Sequence, residues 1–446
     1  MSVGGIDWTA LGDETLELLR RYLMIDTTNP PGNEADGARF LAEVLAAHDL
    51  PSEIAESAPG RANLVCRLAG DGSLGGIVLH HHVDVVYADR RYWSVDPFGG
   101  VIRDGYLYGR GALDMKSTGI LQLGALLALK RARVPLKRDL IFLATADEEA
   151  GSAYGARFVA DKRRHWLAGA EYALSELAGI EHDRGQRAPL AVIVISEKTG
   201  LPLKLTSRGE PGHGSMPWPD TAPHRLVRAL GRVLAAERPP RVLPETQEYF
   251  RRVAEVLPPG EAEGYHDLER SLRDPAFRAR FLADRYRAAM VRTTFAVNML
   301  RGSEKLNVIP PEAVAEIDCR MLAGDDPQEI LAWVRGVIAD DHVEVTTVRE
   351  PKLPNLSPPD TELYKALADS LRRRAPGAVV APGILVAFTD NWVFRTLGLH
   401  AYGWSPFLLD EDGFRRIHGN DERISLDNVR GGVRAYTEML LAVAAA

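Results

Sequence analysis

Three histidines and an aspartate stand together in the segment His80-His81-His82-Val83-Asp84. On a strand, alternate side chains share a face, so His80, His82 and Asp84 would point the same way. Imidazole is a good zinc ligand, and its second ring nitrogen usually needs a carboxylate to fix the tautomer. We therefore interpret His82 as a metal ligand and Asp84 as the group that orients it. The alternative is a strand end that is merely polar.

A carboxylate, Asp114, follows a glycine-containing turn and directly precedes an apolar segment. An aspartate in this position could simply cap the following helix by accepting backbone N–H bonds. It could also bridge two divalent cations about 3.5–4 Å apart, as a two-metal hydrolytic site requires. The residues at this point leave both interpretations open.

Three acids, Asp147, Glu148 and Glu149, follow the apolar segment 140–143. Adjacent acids usually form a solvated turn, but a strand would deliver these to the carboxyl edge of an α/β sheet, where sites form. Metal-dependent hydrolysis needs one carboxylate on the ion and a second, free one as general base. Glu149 and Glu148 could divide these roles.

Two further candidates are weak when each is considered alone. Glu176 ends another short strand-like segment, and His418 lies near the C-terminus. Such oxygen and nitrogen ligands without cysteine suit zinc, cobalt or manganese better than an iron–sulfur cluster or a structural zinc site. The complete candidate set is His82, Asp114, Glu149, Glu176 and His418.

The segments that would position these residues alternate between strand-like and helix-like over the first 200 residues. This alternation predicts βαβ units on a largely parallel sheet. The predicted strands are 62–67, 76–86, 140–146 and 172–175, and the predicted helices are 14–24, 35–48 and 119–129.

A different order, β-α-β-β-α-β, begins near residue 201 and predicts an inserted ferredoxin-like α+β domain. Its predicted strands are 203–207, 293–300, 313–321 and 343–348, and its helices are 222–236 and 327–338. A helix-prone excursion over 239–292 could shape a pocket or only thicken the insert, and the second interpretation is favoured. Helices at 361–373 and 428–444 predict a return to the first domain, which would comprise 1–200 and 351–446 around an insert at 201–350.

Composition favours a two-domain globular enzyme: the chain has 446 residues, 46% of them hydrophobic and 26% charged. The net charge of −7 and the lack of basic runs disfavour nucleic acid and membranes as partners. No segment has the roughly 18–20 apolar residues of a membrane span, and the N-terminal residues do not resemble a signal peptide. Cys66 and Cys319 are far apart and do not indicate a disulfide framework, which predicts a cytoplasmic location.

Together the motifs resemble the metallopeptidase family of aminoacylase, acetylornithine deacetylase, succinyl-diaminopimelate desuccinylase and glutamate carboxypeptidase. The resemblance covers nearly the whole chain. It implies a zinc-exopeptidase-like α/β catalytic domain with a mixed, largely parallel sheet, and a ferredoxin-like lid and dimerisation domain. The motifs that carry it are 25–32, His82-Val83-Asp84, 109–116, Asp147-Glu148-Glu149, 209–217, 307–310, 318–320 and His418.

For the catalytic domain, the resemblance implies that Asp114 bridges two zinc ions. His82 and Glu176 would complete one zinc site, and Glu149 and His418 the other. Glu148 would be the general base that assists attack by a metal-bridging water on an amide bond.

For the inserted domain, the resemblance implies that His213 assists the oxyanion in a neighbouring subunit of a homodimer. Asn307 and Arg320 would contact the substrate carboxylate, a task that suits the planar fork of arginine. Without the resemblance, the residues favour a turn histidine, a turn asparagine and a surface ion pair.

The activity so implied is hydrolysis of an N-acyl-amino acid or a short peptide with a free carboxylate. A dipeptidase or carboxypeptidase proper is one alternative. A catalytically silent protein that binds amino-acid conjugates is another.

Overall fold

The computed structural model describes residues 5–176, 179–181, 187–352 and 355–446. Its α-helices are α1 (Trp8–Leu23), α2 (Glu34–Ala46), α3 (Lys116–Arg131), α4 (Ala156–Lys162), α5 (Ala222–Ala235), α6 (Pro244–Val256), α7 (Pro259–Ala262), α8 (Leu268–Ser271), α9 (Pro275–Ala283), α10 (Arg285–Val291), α11 (Pro327–Ile338), α12 (Glu362–Arg374), α13 (Asn391–Thr396), α14 (Glu411–Arg416) and α15 (Leu426–Ala444).

The strands are β1 (Ser52–Ala58), β2 (Arg61–Leu68), β3 (Gly76–His82), β4 (Val101–Arg103), β5 (Tyr106–Tyr108), β6 (Leu140–Thr145), β7 (Ala170–Ser175), β8 (Ile180–Glu181), β9 (Leu190–Glu197), β10 (Thr199–Gly200), β11 (Leu203–Arg208), β12 (Gly212–His213), β13 (Thr294–Arg301), β14 (Val308–Ile309), β15 (Glu312–Met321), β16 (Val343–Thr347), β17 (Val379–Leu385), β18 (His400–Gly403), β19 (Leu408–Leu409) and β20 (Arg423–Ser425). Short 3-10 helices lie at Arg90–Tyr92, Glu148–Ala150 and Arg164–Leu167.

A large mixed sheet forms the first layer, in the order β1-β2-β6-β3-β7-β18-β9-β8-β19, with β17 paired to β9. The central strands β6, β3, β7 and β18 are parallel, whereas β1 and β2 run antiparallel to their neighbours. Strand β9 pairs antiparallel with β18 and β8 but parallel with β17. The predicted α/β fold with a mixed sheet is therefore confirmed. One strand is shorter than predicted: β3 ends at His82, because beyond it the backbone of Val85 bonds to Thr27 instead of to a neighbouring strand.

Helix α3 is the centre of the main core, as its apolar sequence predicts. Every residue from Lys116 to Leu129 is buried, and α3 packs between the sheet and the helices α1 and α15. Helices α4 and α13 cover the opposite face of the sheet, where Val78, Leu143 and Phe394 form a second apolar cluster. The central strands are therefore covered on both faces, which is typical of parallel sheets.

A second sheet, in the order β16-β11-β15-β13 with β10 beside β15, lies in the insert. Helices α5 and α11 pack on one face of it, around a separate cluster that includes Leu205, Ile317 and Val334. The chain order β11-α5-β13-β15-α11-β16 is the predicted ferredoxin-like order. Whether the domain boundaries lie at residues 200 and 350 stays a prediction.

The excursion over 239–292 folds into helices α6 to α10 around its own cluster, which includes Phe250, Tyr265 and Phe281. The excursion does more than thicken the insert, because α6 packs on β17 of the large sheet, where Val256 and Ala381 are buried together. That it shapes a pocket stays a prediction. At its C-terminal end, the ammonium of Lys198 donates hydrogen bonds to the backbone carbonyls of Ala289 and Arg292. The excursion thus joins the inserted sheet to the large one.

Over the part of the chain that the structure describes, no helix is both long enough and apolar enough to cross a membrane.

Candidate metal centre

The carboxyl ends of three parallel strands bring the first candidates together. His82 is the last residue of β3, Glu176 directly follows β7, and Glu148 and Glu149 follow β6 in a short 3-10 turn. Side chains that extend from this edge of a parallel sheet converge, as they do in other α/β folds. Asp114 joins them from the turn that precedes α3.

The first ligand group consists of His82, Asp114 and Glu176, all buried, whose ligand atoms lie within 4.8 Å of one another. His82 Nε2 is 3.1 Å from Asp114 Oδ1 and 3.5 Å from Glu176 Oε2.

The second ligand group consists of Asp114, Glu149 and His418. His418 Nε2 is 3.2 Å from Asp114 Oδ2 and 3.1 Å from Glu149 Oε1. The two carboxylate oxygens of Asp114 therefore face two different imidazoles, which is the arrangement of a bridging carboxylate. The alternative of a helix cap is wrong, because the N-cap of α3 is Met115 and no side-chain hydrogen bond caps this helix.

The charges in these groups perturb one another strongly. Burial raises the pKa of Glu176 to about 8, and the nearby Asp114 carboxylate adds to the shift. Burial acts to lower the pKa of His82, but Glu176 and Asp114 outweigh it and hold that pKa well above its usual range. Hydrogen bonds with Asp114 and Glu149 raise the pKa of His418 to about 10. Because the carboxylates of Asp114, Glu149 and Glu176 lie close together, a bound cation would stabilise them.

An unpartnered carboxylate oxygen also indicates that these residues fit a pair of divalent cations. Glu176 Oε1 is buried and has no hydrogen-bond partner among the residues that the structure describes. A buried carboxylate oxygen without a partner is costly unless a ligand satisfies it. Imidazole and carboxylate donors in these numbers are the set that zinc, cobalt or manganese accept.

Glu148 belongs to neither ligand group. Its carboxylate makes no hydrogen bond or ion pair within the described ranges. Burial holds the pKa of Glu148 well above its usual range, and the Glu176 carboxylate adds to the shift. A free carboxyl group with a raised pKa beside a metal group is suited to accept and return a proton.

Asp84 contacts His82 mainly through its backbone: the Asp84 carbonyl oxygen lies 2.9 Å from His82 Nδ1, whereas its carboxylate Oδ1 lies 3.6 Å away. The carboxylate instead accepts backbone N–H bonds from Glu148 and Glu149, each at 3.1 Å. Burial raises the pKa of Asp84 to about 7. Asp84 therefore holds both the histidine and the turn that carries the two glutamates.

A buried network behind this turn is absent from the sequence interpretation. Asn29 Nδ2 donates to the carboxylates of Asp84 and Asp147, at 2.8 and 3.2 Å. The Arg61 guanidinium donates to Glu34 at 2.7 Å and to Asp147 at 2.8 Å. The segments 25–32 and 147–149 are both recognisable as motifs, but no spacing in the sequence links them to Arg61.

Glu422 is another functional candidate that the sequence interpretation missed. Its carboxylate accepts backbone N–H bonds from Leu113 and Asp114 and pairs with the buried Arg110 at 2.6 Å. Arg110 also donates to the backbone carbonyl of His418. Glu422 thus links the segments of two candidate ligands. Its position four residues after His418 is the only signal of this role in the sequence.

The three candidates in the insert lie apart from these groups. His213 is exposed in β12, which pairs with β14 next to Asn307, so these two residues are neighbours. Arg320 is half-buried on β15, and its Nε donates to both carboxylate oxygens of Asp318. Among the described residues, no hydrogen bond or ion pair joins these three to the metal groups, so their roles stay predictions.

Known proteins share this combination of fold and motifs. Residues 78–442 match the family model described as "Peptidase family M20/M25/M40". The chain is 32% identical over 398 residues to N-fatty-acyl-amino acid synthase/hydrolase PM20D1 of Xenopus tropicalis, covering 85% of this chain and 75% of that protein. It is 26% identical over 436 residues to human aminoacylase-1, covering 96% and 95%. The structure of the M20 metallo-carboxypeptidase Sso-CP2 from Sulfolobus solfataricus matches with a TM-score of 0.72 at 17% identity, covering 96% and 98%. The predicted family resemblance is confirmed.

Proposed function

The chain belongs to peptidase family M20/M25/M40 and is a metal-dependent amidohydrolase; on this basis we propose that it hydrolyses an N-acyl-amino acid or a short peptide with a free carboxylate. The names of its relatives PM20D1 and aminoacylase-1 support N-acyl-amino acids as the preferred substrates. The similar structure of the metallo-carboxypeptidase Sso-CP2 makes a dipeptidase or carboxypeptidase proper the second candidate.

One observation carries the proposal: the Glu148 carboxylate, which has no hydrogen-bond or ion-pair partner among the described residues, lies next to two ligand groups that share Asp114. An acid without a partner, beside a shared carboxylate, is the requirement of two-metal hydrolysis. A catalytically silent binding protein would not need this acid.

Two cations would be held by residues of both groups: one by His82, Glu176 and Asp114, the other by Glu149, His418 and Asp114. We propose zinc, with cobalt or manganese as substitutes, because the ligands are imidazole and carboxylate. When bound, such a pair polarises the scissile carbonyl and lowers the pKa of water.

Glu148 acts as the general base. Its carboxylate takes a proton from the attacking water and returns it to the amide nitrogen as the C–N bond breaks. Asp84 positions this acid, because the Asp84 carboxylate accepts the backbone N–H of Glu148.

His213 stabilises the oxyanion that forms during attack. Its Nδ1 lies 3.1 Å from the backbone nitrogen of Ser215 and accepts a hydrogen bond from it, so the neutral ring carries its proton on Nε2. The exposed Nε2–H is then free to donate. Asn307, which is adjacent to His213, and Arg320 bind the substrate carboxylate.

The proposed assembly is a homodimer joined through the lid domain in the cytoplasm. Strand β13 lies at an edge of the inserted sheet and exposes 65% of Leu300, and α5 exposes 68% of Val227 and 62% of Leu234. An exposed apolar edge strand favours pairing with a second chain. Cys66 and Cys319 are buried and unpaired, in keeping with a reducing compartment.

The test is hydrolysis of N-acetyl-amino acids and of dipeptides by the zinc- or cobalt-loaded protein, compared with Glu148→Gln. We expect N-acetyl-amino acids to be cleaved faster than dipeptides. Glu148→Gln should lose about 10²–10⁴-fold in kcat while bound metal, measured by mass spectrometry, is unchanged. The control Glu43→Gln alters an exposed acid on α2 and should have wild-type activity. Undiminished activity of Glu148→Gln would refute its role.

A further inference from the structure

Three cations that form no ion pair among the described residues are linked through Lys352, which lies close enough to Arg157, Arg349 and Glu148 to interact with their charges. Arg157 is exposed on α4, Arg349 is exposed after β16, and Lys352 is half-buried three residues further along. Among the described residues, no ion pair and no side-chain hydrogen bond engages any of these three. We call this cluster the basic rim.

Lys352 is held by aromatic faces instead of by an acid. Its ammonium lies 3.4 Å from the centre of the Phe388 ring and 5.2 Å from that of Trp392. Its backbone nitrogen bonds to the carbonyl of Gly200, where the chain enters the insert. Ring faces attract a cation but accept no conventional hydrogen bond, so the three N–H donors of the ammonium stay available.

Two connections link Lys352 and Arg157 of the basic rim to the site. Phe388 lies two residues before Asp390, whose carboxylate is 3.3 Å from His80 and 3.2 Å from Thr145 at the end of β6. The backbone nitrogen of Arg157 bonds to the carbonyl of Ser152, in the segment that directly follows the Glu148 turn.

The electrostatics agree with this placement. Burial lowers the pKa of Lys352 to about 8, and the charges of Arg157 and Arg349 add to the shift, although Asp390 and Glu148 oppose it. After burial, the strongest charge effect on Lys352 is the attraction of Asp390, whereas Arg157 and Arg349 repel it; a substrate anion would add to the attraction and offset this repulsion. Arg320 and Asn307 are already proposed to bind one substrate carboxylate, so the cations of the basic rim are available to a second acid group.

We propose that the basic rim is a second carboxylate subsite, with Lys352 as its central residue, and that the preferred substrates carry two carboxylates. This inference rests on the proposed function. The additional carboxylate belongs either to the side chain of the amino acid or to the acyl group, and the chemistry of recognition is the same in both cases.

The experiment compares ligands that differ only in one charge. One arm pairs N-acetyl-L-glutamate with N-acetyl-L-glutamine, and the other pairs N-succinyl-L-alanine with its succinamoyl amide. Binding of each ligand to the zinc-loaded Glu148→Gln variant is measured by calorimetry, which tests the inference without turnover. The proposed function is tested separately, by kcat/KM of the wild type for the same compounds. We expect the dicarboxylate to be preferred about tenfold in one arm, and less so at high salt.

Lys352→Met should abolish this preference and leave binding of the neutral ligand within about twofold, because only the charge contact is lost. Lys352→Arg should restore the preference. Lys365→Met, on the exposed face of α12, is the matched control and should behave as the wild type. If Lys352→Met does not fold, Arg157→Gln with Arg349→Gln tests the same subsite at exposed positions. The inference would be overturned if the acid and its amide bind equally in both arms. It would also be overturned if Lys352→Met lowers the affinity for the acid and for the amide by the same factor.

Discussion

Glu148 and Glu149 are held by side chains that come from distant parts of the chain. Asp84 binds the backbone of both glutamates, and Asn29 joins Asp84 to Asp147. Asp147 itself has a left-handed backbone with φ of 67°, which is uncommon for a residue other than glycine. The turn therefore depends on the contacts that stabilise Asp147.

Arg61 stabilises Asp147 through a buried ion pair, and it pairs with Glu34 as well. The side chains of Arg61, Glu34 and Asp147 are exposed by only 9%, 0% and 4%, so Arg61→Met would leave two buried carboxylates without their cation. We expect a loss of about 3–5 kcal/mol in the free energy of unfolding, measured by urea denaturation of the metal-loaded protein. Arg39→Met removes an exposed ion pair with Asp36 and should cost about 1 kcal/mol or less. Equal costs for the two variants would contradict the assigned role of the network.

His82, Asp114 and Glu149 could be predicted from the sequence because each lies in a short local motif, whereas Glu176 and His418 were predictable only as parts of the complete set. His82 follows the continuous apolar residues 77–79 of a strand, and Glu148 and Glu149 come shortly after another strand. Arg61 lies in no such motif, and Glu422 is marked only by its position near His418, because both residues bind partners far along the chain. Lys352 was equally hidden, since the Phe388 and Trp392 rings reach it only in the folded protein.

Helix α3 fixes the depth at which Asp114 lies, because it starts two residues after that carboxylate and is buried against β3. The approach is close at Gly119. A Cβ atom at this position would overlap the imidazole of His81, which is itself buried between α3 and the sheet. Only glycine allows the helix to lie this near the strand that carries His82.

Gly119→Ala should therefore destabilise the protein although alanine is the better helix former. We expect a loss of about 1–3 kcal/mol, seen as a lower urea midpoint, because neither α3 nor His81 can move freely within the core. Gly336→Ala is the matched control, since it lies in the exposed part of α11 with no atom near its Cβ position. That variant should gain up to about 1 kcal/mol. A neutral or stabilising Gly119→Ala would show that the close approach is not required.

Most elements could be predicted because their hydrophobic period matches one face of a helix or strand. The order of the insert, β11-α5-β13-β15-α11-β16, agrees with its prediction to within a few residues. The excursion over 239–292 was different. Its helical character was visible, but the packing of α6 on β17 joins residues more than a hundred positions apart, and no local period contains that information.

At the scale of the whole molecule, the sequence comparisons and the large sheet account for the family and the fold, whereas the proposed homodimer would depend on the surface of the insert. His213 and Asn307 are exposed there, without contact to the metal groups among the described residues. If His213 works across subunits, the edge strand β13 and the apolar face of α5 must join two chains.

Leu300→Asp tests this arrangement, because it places a charge on the exposed edge strand without disturbing a buried residue. We expect the wild type to elute as a dimer in light-scattering chromatography and the variant as a monomer. The monomer should keep its metal, since every candidate ligand lies outside the insert, but its kcat should fall by about 10²-fold or more through loss of the oxyanion donor. Ile102→Asp alters a similarly exposed residue on β4, which is also an edge strand, and should leave both mass and rate unchanged. Full activity of a monomeric Leu300→Asp variant would contradict a role of His213 across subunits.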